Sequence, residues 1–175
     1  MNLNFRELLP DDFDPSSRVW IYQSSRIFGI TEAIQIEGLM KEFVERWNSH
    51  GAMVKGYGNL FFGQFIVLFA DESASGVSGC STDSSVRLIK DIEQIYRVNL
   101  FDRQLLAFVV KERIQLIPMP QLEYAIANNF IQEETLYFNN TVNTLDQLIT
   151  NWLIPVKDSW LNTRFSSASS QASDV

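Results

Sequence analysis

"AMVKGYGNLFFGQFIVLFADE", residues 52–72, decides the fold of this chain. Its second part, Leu60 to Ala70, is an apolar and aromatic run of 11 residues interrupted only at Gly63 and Gln64. A helix needs roughly 20 apolar residues to cross a bilayer, so this run is no membrane span. It is also too continuous for a strand with one wet face, and reads as a mid-sheet strand covered on both sides. Gly58 and Asn59 then read as the turn joining it to a preceding strand.

Working outward, "SRVWIYQ" (17–23) is β-branched and aromatic and predicts a first strand. Ile36, Leu39, Met40, Phe43 and Trp47 recur at helical spacing, with Gln35, Lys41, Glu42, Glu45 and Arg46 on the other side. Thr31 is placed to cap that helix, Glu32 falls in its first turn, and "NSHG" (48–51) stops it. Beyond the Ser/Gly-rich loop 73–79, Val86, Ile89, Ile92, Ile95 and Tyr96 mark a second helix with Ser81 or Thr82 as cap. A hairpin of "LLAFVV" (105–110) and "IQLIP" (114–118) about Lys111 and Glu112 follows, then a short helix over 121–129 and a strand "TLYFNN" (135–140).

The element order predicts an α+β fold. Its first six elements fit a ferredoxin-like β-α-β-β-α-β core, with helices over one face of a mixed, mostly antiparallel sheet. An extra strand and an aromatic C-terminal extension complete a single domain through residue 165, and "SSASSQASDV" (166–175) reads as a disordered tail. In the extension, Trp152, Pro155, Trp160 and Phe165 either clamp back over the sheet or form a stripe for a partner or a homodimer.

Fourteen Lys plus Arg against twenty-one Asp plus Glu give a net charge of -7, without a basic patch. That balance repels a phosphate backbone or an anionic membrane, which argues against nucleic-acid and membrane partners. A single cysteine forms no internal disulfide, and "MNLNFRELLPDDFD" is acidic where a secretion signal is basic and then apolar, so the expected compartment is the cytoplasm. One histidine makes a His-rich metal site impossible, and no metal or cofactor is expected.

"SRVWIYQ", the Trp47–His50–Gly51 spacing, "FIVLFADE", "SGCSTDSSV", "LFDR" and the closing "W..P..DSW...F" together resemble a family of small bacterial proteins that carries the label "ABC transporter ATPase". That resemblance implies a nucleotide site, which needs a Gly-x-x-x-x-Gly loop ending in Lys and a hydroxyl residue. Gly51 to Gly56 is followed by Tyr57, and Gly58 to Gly63 by Gln64, so neither loop supplies the lysine. "VSGCS" imitates a transporter signature loop but follows the acidic strand instead of preceding it.

The expected topology gathers one rim from distant residues: Arg18, His50, Asp71, Glu72 and the 77–85 loop. A helix N-terminus presents unpaired amides and a partial positive charge, which stabilise a thiolate or an anion. Cys80 as nucleophile, His50 as base and Asp71 or Asp83 as orienter is one reading, a thiol enzyme or redox sensor. The other is a non-catalytic binding module in which Ser81, Thr82, Ser84 and Arg87, with Arg18, Asp71 and Glu72, hold a small anionic ligand or a partner protein. The second needs fewer special arrangements. Cys80 beside Gly79 suits a small turn residue, His50 complements a helix C-terminus, and Arg87 has Asp91 at i,i+4.

Overall fold

The computed structural model describes residues 1–49, 52–71 and 79–165, with the backbone alone at 49 and 79–81. Its fold is α+β, with antiparallel sheets and helices. The contacts divide the chain into two compact units. One holds Asn4–Asp102 with Val142–Ile149, and the other Met1–Leu3, Arg103–Thr141 and the described residues from Thr150. The tail predicted over 166–175 lies outside the described residues.

In the first unit β1 (Arg18–Gln23) is followed by α1 (Ile30–Arg46) and a minimal hairpin of β2 (Asn48–Ser49) and β3 (Ala52–Met53). Then come β4 (Lys55–Phe61), β5 (Phe65–Asp71) and α2 (Gly79–Tyr96). The sheet order is β1-β5-β4, antiparallel throughout, so the apolar run does take the central position. Phe65 to Ala70 are fully buried. One face of β5 packs under the helices through Ile66 and Leu68 against Ile36, Met40, Ile89 and Ile92. The other is covered by the N-terminal segment, where Phe5 meets Phe61 edge-on at 6.5 Å and Phe13 meets Phe69 at 4.9 Å.

The turn lies elsewhere than Gly58–Asn59. β4 runs straight through those residues to Phe61, and the chain reverses at Phe62–Gly63, both with positive φ (55° and 64°). Gly58 is in the strand for a steric reason: a Cβ there would stand 2.7 Å from Leu68 Cδ2 and 3.3 Å from Met40 Cβ. The bare backbone lets α1 lie close on β4. The cap of α1 also differs from the Thr31 expectation. Gly29 precedes the first turn, and Glu32 reaches back so that its Oε2 accepts the Gly29 N–H at 2.8 Å, the acidic half of a capping box.

A fourth ferredoxin-like strand would pair along the outer side of β1. Residues 143–145 take that place: Val19 N–H donates to the Asn143 carbonyl at 2.9 Å and Leu145 N–H to the Ser17 carbonyl at 2.9 Å. The strand after α2, β6 (Leu105–Val110), instead belongs to the second unit. There β7 (Arg113–Pro118), β6, β8 (Leu136–Phe138) and β9 (Leu153–Pro155) form a four-stranded sheet in the order β7-β6-β8-β9. All its pairings are antiparallel, so neither sheet is mixed. The physical reason is local. Lys111 and Glu112 both adopt positive φ (49° and 58°), the two-residue turn that fits the twist of a hairpin, and β6 finds its partner immediately. α3 (Leu122–Ala127) supplies Leu122, Ala125 and Ile126 to that unit's core. α4 (Leu145–Asn151) precedes β9.

The aromatic extension folds back within its own unit. Val156, Leu161 and Phe165 join its core, and Trp152 is buried against Phe138 with its indole N–H on Asn140 Oδ1 at 3.0 Å.

Two stability measurements test this account. Gly58→Ala is expected to lower stability by about 1–3 kcal/mol, the usual cost of forcing a carbon into a packed site, whereas Gly38→Ala, with nothing within 4 Å of its added carbon, is expected to be neutral or stabilising. Denaturant midpoints check both. The carboxyl of Glu32 is lowered to about 2 by its hydrogen bonds from Arg26 and the Gly29 N–H. A depressed carboxylate contributes stability above its ordinary value near 4.5, and that contribution is lost as pH falls toward 2. Glu32→Gln is therefore expected to flatten the acid limb of the thermal-stability profile over that window.

Candidate functional site

Register places the start of β1 and β4 and the end of β5 at one end of the sheet, since Arg18 pairs with Ala70 and Lys55 with Asp71. The predicted rim is nevertheless divided by the pleat. Arg18 shares its face with Ala70 and Trp20, under the helices, and its guanidinium lies 5.2 Å from the Trp20 ring. Asp71 shares its face with Phe69 and Tyr57, the side covered by the N-terminal segment. Residues adjacent in register point to opposite faces, so the two do not line one mouth.

On the Asp71 face the sequence reading missed Lys55. Its ammonium lies 3.1 Å from Asp12 Oδ2, bonds the Asp12 carbonyl and sits 4.5 Å from the Phe13 ring centre. Asp14, beside it in the chain, is held below the usual carboxylate range by the Ser16 hydroxyl and N–H, with the charge of Asp71 acting the other way. The signal for this cluster was "DDFD" preceding the first strand, an acidic-aromatic segment too short to bury itself alone.

α2 starts at Gly79, so Cys80 and Ser81 lie in its first turn and neither Ser81 nor Thr82 is the cap. Thr82 serves inside the helix, where its carbonyl accepts the hydroxyl of buried Ser85 at 2.7 Å. His50 and Glu72 lie outside the described residues, as do the side chains of Cys80 and Ser81, so the thiol–imidazole pairing falls there too. Among the described residues, β2 packs against α2.

Where α1 ends beside the start of α2, the described residues form a groove. One stretch, about 440 Å³, is lined by Leu39, Glu42, Phe43, Arg46, Trp47, Asn48, Ser84 and Leu88. It continues across Phe43, Ser84 and Leu88 into a second of about 490 Å³ edged by Asp83, Arg87 and Asp91. The floor is apolar and stiffly backed: buried Trp47 meets Phe43 at 4.9 Å and Trp20 at 5.9 Å between ring centres, both in tilted contacts. Its seat is Gly56, where a Cβ would stand 2.6 Å from Trp47 Cε3. Predicted residues Asp83, Ser84 and Arg87 meet here, joined by Glu42 and Arg46 from α1, which the sequence reading assigned only to a solvated face.

Asp83, Arg87 and Asp91 stand at i, i+4 and i+8 on α2, one helix edge of alternating charge. The expected Arg87–Asp91 pair is not formed, and among the described residues Arg87 makes no ion pair. An exposed pair of that spacing contributes only about 0.3–0.5 kcal/mol, which rotamer freedom offsets.

Comparison with protein-family models, with curated proteins and with solved structures returned no match to this chain. Among the described residues no group of three or more His, Cys, Asp or Glu is arranged to hold a metal ion, and no helix is long and apolar enough to cross a membrane.

The groove floor has its own test. Phe43 is half-buried, so Phe43→Ala is expected to cost about 1–3 kcal/mol, less than the 3–5 of a fully buried ring, and to raise the acrylamide quenching of Trp47 as the ring packed on it is lost.

Proposed function

We propose that this chain is a non-catalytic interaction module whose α1/α2 groove receives an amphipathic helix of a partner protein. The observation that supports it is the pairing of a continuous apolar floor, Leu39, Phe43 and Leu88, with the charge order acidic-basic-acidic along Asp83, Arg87 and Asp91. A partner helix sets an apolar stripe on the floor and carries basic, acidic and basic residues at the same four-residue spacing on its flank. Apolar burial then supplies affinity, and the charges supply register and choice of partner. The ferredoxin-like frame, read as β1, α1, β4, β5 and α2 with residues 143–145 in the fourth strand's place, is what holds the two helices side by side. The net charge of -7 fits a cytoplasmic protein that meets partners carrying basic residues.

A labelled helical peptide with a Leu stripe and a Lys-x-x-x-Glu-x-x-x-Lys flank, titrated by anisotropy, tests the reading. It is expected to bind at least about fivefold more tightly than the charge-reversed peptide, the ratio that about 1 kcal/mol gives. The double variant Asp83→Lys, Asp91→Lys inverts the preference. Equal binding of both peptides removes the charge register, and binding of neither removes the groove as a helix site. Displacement by inorganic phosphate points instead to a small anionic ligand.

A second reading is supported by the placement of Cys80 in the first turn of the 18-residue α2, where the helix dipole favours a thiolate. Under the first reading Cys80→Ser binds the peptide as the parent does. Alkylation with an apparent midpoint below about 7 supports thiol chemistry.

A further inference from the structure

β4 is an edge strand: among the described residues no strand lies along its outer side. Such an edge offers a row of backbone donors and acceptors to any extended chain. Leu60 shows how this one is closed. Its N–H donates to Asn59 Oδ1 at 2.8 Å and not to a strand. Strand amides alternate in direction, so the amides of Gly58 and Gly56 point outward with that of Leu60, and glycines carry no side chain to obstruct approach. Asn59 is meanwhile fixed. Its Nδ2 donates to Tyr57 Oη at 2.9 Å, and that hydroxyl donates to the Leu8 carbonyl of the N-terminal segment at 2.6 Å.

We infer that the outer edge of β4 is a docking site for β4 of a second copy, kept shut by the Asn59 side chain. The edge is self-complementary in an antiparallel register centred on Gly58. Gly58 then faces Gly58, Tyr57 faces Asn59, and Lys55, the one charged residue of β4, faces Phe61, so no like charges are opposed and the centre is free of side-chain collision. Pairing requires the Leu60 N–H to leave Asn59 Oδ1. The two functions of Asn59 are carried by different atoms: Oδ1 closes the edge, while Nδ2 anchors Tyr57.

Sedimentation equilibrium on the full chain, with hydrogen exchange at β4, separates them. Asn59→Val removes the acceptor and is expected to tighten self-association at least about tenfold over the parent, with concentration-dependent protection at Gly56, Gly58 and Leu60. Asn59→Ile does the same should the valine variant fail to fold. Asn59→Asp keeps an acceptor oxygen and Tyr57→Phe leaves Asn59 in place, so both are expected to associate as the parent does. Unchanged association of the valine and isoleucine variants overturns the inference, as does concentration-dependent protection of β4 in the parent, which shows an edge already paired. Association of Tyr57→Phe equal to that of Asn59→Val assigns the closure to the N-terminal segment and overturns it as well.

Discussion

Everything in the first unit depends on the two-sided burial of β5. Phe65 through Ala70 are wholly out of water, so both faces of one strand must be covered by other parts of the chain. Each large side chain so buried is worth about 1.5–3 kcal/mol, and a single cover satisfies only half of them. Two covers of different kinds result. The helices α1 and α2 lie on one face, and a nearly irregular segment, residues 5–14, lies on the other, tied through Phe5, Phe13 and Tyr57. The first is the ordinary solution for an α+β layer. The second explains why an N-terminus without strand or helix pattern is packed at all.

The same constraint fixes the groove. For α1 to cover β4 and β5 together it has to approach the sheet closely, and beside Leu60 the strand answers with glycine at its two tightest points. Gly58 admits Met40 and Leu68, and Gly56 admits Trp47. The indole seated on Gly56 ends α1 at a fixed height, and it supports Phe43 from behind. The floor is therefore a rigid consequence of strand composition, while the charges around it are exposed and adjustable.

Periodicity made much of this legible: the two helices, the central strand and the Lys111–Glu112 hairpin all follow from spacing and turn chemistry. The Gly58–Asn59 pair was misleading because one composition serves two purposes. Glycine marks a turn when the backbone needs positive φ and a close approach when a helix lies on it, and only the tertiary partner separates these. The fate of β6 was likewise hidden. Element order says which segments are strands, and the energy of a local hairpin against a distant edge says which strands pair. At the site, sequence found Asp83, Ser84 and Arg87 but grouped them with Arg18 and Asp71, which the pleat sends to opposite faces. That error arose from reasoning about strand ends without register. Glu42 and Arg46 were overlooked since their place beside α2 is set by packing alone.

On the proposed reading, the packing of the C-terminal extension bears on where a partner would be received. Had Trp152, Leu161 and Phe165 stayed outside, their aromatic surface would have been the obvious place for association. They are buried within their own unit, and burial also pushes the Tyr137 phenol up, opposed by its hydrogen bond with Trp160. Of the described aromatic residues of the extension only Trp160 keeps substantial exposure, at 43%, and a solitary ring with a hydrogen-bonding duty is a poor anchor for a partner. The α1/α2 groove differs in kind, because it joins several apolar residues in one concave floor and surrounds them with charges that, among the described residues, form no ion pair across it. Concavity, a continuous floor and unanswered charge together are what recognition requires, and among the described residues of the first unit they coincide where α1 ends and α2 begins.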